Sequence, residues 1–282
     1  MKVSIGVSAC GSCQRGDNDR LPAWRYHHPA SVKPKLTALL ALFAACSTAA
    51  PSLPTGDVLP HGEVVKKLDA GRVESLPTGT VYVRFIRFVQ PPGYIINSKQ
   101  HVPSVVYVET GVQRLVLAGQ PPIDLVAGQA RFHQSVTHQH LNPGTETSNW
   151  YSIAVWPSSA RGQPLVDPIA RAAFESEEID RPALPQVAYS EALRQVSLAR
   201  GGTSGAHRFG GLSAFYVLTG SVSIKSAHRG AVSLGVGQGA AFLPETDLQE
   251  TNTGSDQAAY LEFLVTPVGT EFEIPLQQSP AA

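Results

Sequence analysis

The residues best able to do chemistry in this chain are histidines, and they are unevenly spread. Three fall close together in Phe132-His-Gln-Ser-Val-Thr-His-Gln-His140, with His101 upstream and His207 far downstream. Neutral imidazole suits zinc, iron, nickel or copper. Convergence of His101, His138 and His140 would therefore hold one divalent transition metal, with His133 as a fourth ligand or an acid/base group. On a strand, His138 and His140 point to the same face. Bringing in His101 needs a strand crossing opposite, with a bulge to turn it inward. The same pattern also fits one histidine lining a polar cavity with the others at the surface. His207 alone fits a hydrogen-bonded or exposed residue.

Other chemistries find less support. No Gly-rich phosphate loop leads into a helix, and no Gly-x-Ser-x-Gly turn occurs. Gly201-Gly-Thr-Ser-Gly205 reads as a flexible lead-in, and Glu175-Ser-Glu-Glu-Ile-Asp180 as a solvated acidic run. The 22 basic residues balance 22 acidic ones with no basic stripe, which argues against a nucleic-acid partner. Tyr107 and Tyr216 lie in apolar strand segments, as core residues or as walls of a ligand site. Trp150, Tyr151 and Trp156 could line an apolar cavity or simply pack between strands.

The elements that must position these residues are strands. Only 16% of the chain is charged, and 25 glycines and 22 prolines argue against long helices. The sequence also repeats itself. Tyr107-Val-Glu-Thr-Gly111 matches Tyr216-Val-Leu-Thr-Gly220, and Gly128-Gln129 matches Gly237-Gln238 in the same register. Asn142-Pro-Gly144 then pairs with Asn252-Thr-Gly254, and Val155-Trp-Pro157 with Val265-Thr-Pro267, each one residue later. Two copies of one module follow, over 79–157 and 188–268.

Short strands with turn signals fill each copy. In the first they are Val81 to Phe88, Ser104 to Glu109, Val112 to Leu117, Ile123 to Val126, Ala130 to Ser135 and Trp150 to Trp156. In the second they are Ala192 to Ala199, Ser213 to Leu218, Ser221 to Lys225, Ala231 to Leu234, Ala240 to Leu243 and Ala258 to Val265. Ser221-Val-Ser-Ile-Lys225 shows the alternation of a half-buried strand, and glycines 111, 128, 220 and 237 fall where a turn needs positive φ. Residues 158–187 are a proline-rich linker with room for one short helix, Pro168 to Glu178. A tail, 269–282, closes the chain.

This skeleton resembles the cupin superfamily, specifically a two-barrel bicupin. The resemblance implies an all-β fold of two tandem jelly-roll barrels, packed sheet to sheet and joined by the Pro-rich linker. It also implies metal ligands at two histidines, a glutamate and a third histidine. In the first copy those positions hold Ser98, Gln100, Ser104 and His138; in the second, His207, Phe209, Ser213 and Leu248, or Gln249 with one residue of slip. Neither copy keeps the usual set, so any metal in the first barrel needs the substitute histidines, and the second barrel reads as structural.

The N-terminal region carries an address. Lys33 and Lys35 precede the apolar run Leu36 to Ala45 and then small residues, a secretory pattern too short to span a membrane. Phe43-Ala-Ala-Cys46 resembles the lipobox of bacterial lipoproteins, which would make Cys46 a lipidated first residue on the membrane surface of the cell envelope or periplasm. The alternative is a buried helix with Cys46 as a core thiol. Residues 1–31, with Cys10 and Cys13, show no periodicity and read as a non-native leader, with translation starting near Val32. Removing residues 1–45 leaves 16 basic and 20 acidic groups, a balance of −4. Residues 47–78 then serve as tether and lead-in segment.

Two functions follow as expectations. One is an exported, lipid-anchored bicupin that binds a small polar molecule in barrel 1 through His101, His133, His138, His140 or Tyr107, with His207 as a further ligand-binding candidate in barrel 2. The other is a metal-dependent enzyme of oxygenase, isomerase or hydrolase type at the same histidines. The sequence sets no oligomeric state.

Overall fold

The computed structural model describes residues 60–98, 101–165, 167–227 and 230–276. The leader, the secretory segment, Cys46 and Gln100 lie outside the described residues.

In chain order the strands are β1 (His61–Val73), β2 (Val81–Gln90), β3 (Ile95–Ser98), β4 (Ser104–Thr110), β5 (Val112–Leu117), β6 (Ile123–Val126), β7 (Ala130–His133), β8 (His138–Leu141), β9 (Ser148–Pro157) and β10 (Ala170–Glu175). They continue with β11 (Tyr189–Thr203), β12 (His207–Phe209), β13 (Leu212–Thr219), β14 (Ser221–Ser226), β15 (Gly230–Gly235), β16 (Gly239–Phe242), β17 (Asp247–Asn252), β18 (Ala258–Pro267) and β19 (Glu273–Pro275). Only two single turns of 3-10 helix interrupt them among the described residues.

Barrel 1 faces the sheet β10-β2-β9-β4-β7 against the sheet β3-β8-β5-β6. Barrel 2 repeats this with β11-β18-β13-β16 against β12-β17-β14-β15, the two halves joined where Thr203 pairs with Thr251. The alternation in β5 and β14 buries every second residue in both copies, as the period-two pattern requires. Gly111 and Gly220 sit at φ 79 and 73, and an added Cβ would lie 2.9 and 2.8 Å from the Cα of Ser148 and Ala258, so only glycine fits either hairpin. Asn142 and Asn252 act as matched clips. Each side-chain amide donates to backbone carbonyls across the barrel end, and each Oδ1 accepts the N–H two residues on.

Three segments differ from the sequence reading. The stretch Pro168 to Glu178 is not helical; its centre is β10, paired antiparallel with β2. Ala170-Arg-Ala-Ala carries helix propensity, but the open edge of β2 offers it a full set of backbone partners. The segment ahead of the first module is also more than a tether, because β1 pairs with β11 along its whole length and so extends the sheet of barrel 2. The tail likewise contributes β19, paired with β12.

These added strands also lie between the barrels. On β1, Asp69 accepts the Phe132 N–H at 2.7 Å, and Phe132 of β7 lies over Gly71, where any Cβ would collide with its ring. Phe174 of β10 covers Gly239 of β16 in the same way. The broad inner sheets β2-β9-β4 and β11-β18-β13 meet in one apolar core that includes Phe85, Tyr107, Tyr151, Tyr216 and Phe263. Separate cores fill the two barrels.

Candidate metal centre

His133 ends β7, His138 and His140 alternate along β8, and His101 stands just before β4. β7 pairs with β4, which sets His133 opposite Ser104, while β8 pairs with β5 on the facing sheet, with His138 opposite Leu117. The two sheets thus aim three imidazoles at one point. One ring nitrogen each from His101, His133 and His138 lies within 4.8 Å of the others.

The sequence reading expected His140 as the third ligand; the structure brings in His133 instead. The alternation argument is correct for orientation, since His138 and His140 are both buried inward. It is silent on depth. His140 lies one step further along the barrel, its ring 4.8 Å from that of His138 and stacked on Trp150 at 4.4 Å. His133 approaches from the opposite sheet, with its ring centroid 4.4 Å from His138.

Hydrogen bonds fix the tautomers. Nδ1 of His101 lies 2.6 Å from the Val102 carbonyl, that of His133 2.9 Å from Gln134, and that of His138 2.8 Å from Val136. Each carbonyl can only accept, so each Nδ1 carries the proton and each Nε2 keeps a lone pair. The Nε2 atoms of His101 and His138 then face each other at 3.3 Å with no proton between them. The Ser104 hydroxyl, at the position of the motif's glutamate, donates to His133 Nε2 at 3.0 Å. Burial lowers the pKa of all four imidazoles, that of His133 to about 3, so added protons do not relieve this crowding of lone pairs. A soft to borderline divalent cation fits this donor set.

Beside the trio lies a cavity of about 220 Å³, lined by His101, His140, Trp150, Trp156, Arg84 and the loop residues Pro164 and Leu165, among others. Trp150 is held rigidly. Phe88 stacks on it at 3.9 Å, and its indole N–H donates to Gln90 Oε1 at 2.8 Å. The buried Arg84 guanidinium donates to Glu175 at 2.6 Å, and Arg161 reaches the other oxygen of that carboxylate. Glu175 is therefore no member of a solvated run. Arg84 escaped the sequence reading, although a period-two count through Val81-Tyr-Val-Arg-Phe-Ile-Arg-Phe88 places it on the face of Ile86 and Phe88.

The remaining candidates lie elsewhere. Tyr107 packs in the core between the barrels, 6.3 Å from the Tyr151 ring, and Tyr216 joins the same cluster. Only the apolar character of their strands was legible, and that face turns away from the histidines. His207 lies in barrel 2, its Nε2 3.7 Å from Glu250 and its Nδ1 on the Gly205 carbonyl. Burial would lower its pKa, but the carboxylates of Glu250, Glu273 and Glu262 outweigh that and raise it. Register also settles the slip in the second copy: Leu248 pairs with His207 and with Ser226, so Leu248 stands where His138 stands in barrel 1 and Glu250 where His140 stands.

No family model matches the chain, and no curated protein matches it in sequence. Solved structures do match in fold. Bacillus subtilis oxalate decarboxylase at pH 4.6 aligns with a TM-score of 0.52 and 10% identity, covering 79% of this chain and 80% of that one. Two further structures of that enzyme, one from work on its Mn(II) centres and one on its substrate binding mode, match at 0.52 and 10% identity over 79% of this chain and 82% of theirs. The fold is thus the all-β two-barrel fold of a bicupin.

Proposed function

We propose that this chain is a bicupin whose first barrel holds one divalent transition-metal ion on His101, His133 and His138 and binds a small molecule beside it, with barrel 2 as structural support. The observation that carries this reading is the pair of facing Nε2 lone pairs at 3.3 Å, with both Nδ1 protons already committed to carbonyls. A cation between such nitrogens removes a repulsion that the fold otherwise maintains. Three protein ligands leave a position open for water or substrate, the arrangement of catalytic rather than structural sites. When bound, the ion would supply Lewis acidity or an activated water, suited to oxygenase, isomerase or hydrolase chemistry. The chain's own residues hold the imidazole tautomers, and the Trp150 and Trp156 walls restrict access of water.

The manganese of the B. subtilis enzyme supports a metal in this fold, but its reaction is not part of the proposal, since the motif positions here hold Ser98, Gln100 and Ser104. The expectations of export, lipidation at Cys46 and attachment to a membrane surface join the proposal on sequence grounds. Labelling of the expressed precursor with a radioactive fatty acid, lost in Cys46→Ser, tests them.

The metal is tested by elemental analysis of protein purified without a histidine tag. Wild type should retain about one equivalent after dialysis against zinc or cobalt. His138→Ala should retain almost none, and His207→Ala should match wild type. A wild type without metal, or a His138→Ala variant that keeps it, contradicts the proposal.

A further inference from the structure

We propose that the cavity beside the histidines takes a small anion with a planar, apolar body, of the class of a single-ring aromatic carboxylate. The inference deepens the metal reading and rests on it.

Charge comes first. Around the cavity stand neutral imidazoles, and no carboxylate lines it among the described residues. A divalent ion on three neutral ligands would leave two positive charges in a buried space, with a high desolvation cost unless a partner neutralises them. The Arg84 guanidinium that also lines the cavity adds no negative charge, and Glu175 is already shared between Arg84 and Arg161. An anionic occupant would supply the neutralising charge.

Shape supplies the rest. Trp150, Trp156, Phe88, Ile86 and Ile96 form apolar walls, and the clamped indole of Trp150 presents flat aromatic surface. A volume of about 220 Å³ exceeds the roughly 150 Å³ of an engineered apolar cavity that binds benzene, so one substituted ring fits. The ring of His140 adds a further flat wall beside the stacked indole of Trp150.

Titration calorimetry on zinc-loaded protein tests this with four probes: benzoate, benzamide, acetate and benzylamine. Benzoate should bind at least tenfold more tightly than its neutral isostere benzamide and than acetate, which lacks the ring; benzylamine should not bind. Trp150→Ala should weaken benzoate at least tenfold. Should that variant not fold, Leu165→Trp, which fills the cavity from its loop side, should do the same with metal content unchanged. Protein that keeps its metal but binds benzoate no better than benzamide or acetate overturns this inference alone. Protein that keeps no metal overturns it together with the reading on which it rests.

Discussion

The two barrels share one backbone plan and fill it in opposite ways. At matched positions barrel 1 places His133, His138, His140 and Trp150, where barrel 2 places Phe242, Leu248, Glu250 and Tyr260. Ile86 opposite Ser152 borders the cavity of barrel 1; the corresponding pair in barrel 2 is Arg194 opposite Glu262, a buried ion pair with a second carboxylate, Glu273, on the same guanidinium. Barrel 2 therefore closes with aromatic rings and a salt-bridge plug, whereas barrel 1 stays open around imidazoles. The difference teaches that the hairpin glycines and asparagine clips make the cup, and that a few inward side chains decide whether it is a site or a strut.

The largest expected effect in that comparison is the conversion of barrel 1 into the likeness of barrel 2. His133→Phe combined with His138→Leu should abolish metal retention, measured by elemental analysis, while circular dichroism stays that of the wild-type fold. Next comes the plug. Arg194→Met leaves Glu262 and Glu273 without their cation and should cost about 3–5 kcal/mol in urea unfolding, whereas Arg194→Met with Glu262→Leu should recover much of the loss. The reverse order of stability would show that the pair is not a unit.

A smaller effect separates the barrels by pH. In barrel 2 burial raises the carboxyl of Glu191 to about 8. Glu191 holds a proton in the folded state that the unfolded chain has released, so stability falls as pH rises from about 4.5 through about 8. The histidines of barrel 1 act in the other sense. Their folded pKa values are lowered, so metal-free protein loses stability as pH falls below about 6.5 towards 3. Melting temperatures of the metal-free chain should show both limbs, with His133→Phe flattening the acid limb and Glu191→Gln the alkaline one, each by a few degrees. Of comparable size is the matched pair of clips: Asn142→Ala and Asn252→Ala should each destabilise by about 1–3 kcal/mol, with closely similar values.

Much of the plan was legible in the sequence, and the gaps have a common cause. Strands such as β5 and β14 carry one wet face and one dry face, so their alternation is plain. The strands absent from that reading, β3, β8, β12 and β17, are short, and all but β3 turn polar groups inward, such as His138, His140, His207 and Glu250, which weakens the apolar signal. β1 and β10 carry no such pattern because they are recruited by open sheet edges of β11 and β2, a long-range effect that no local window contains. Within the site, strand periodicity told which way His138 and His140 point. It could not tell that His133, on the other sheet, is held opposite Ser104 and so meets His101 and His138.

The most direct test is an anomalous-difference map from crystals grown with zinc and measured at its absorption edge. A single peak, about 2.0–2.1 Å from ring nitrogens of His101, His133 and His138 and with none near His207 and Glu250, is the predicted result. No peak in barrel 1, or one between His207 and Glu250, would contradict the account.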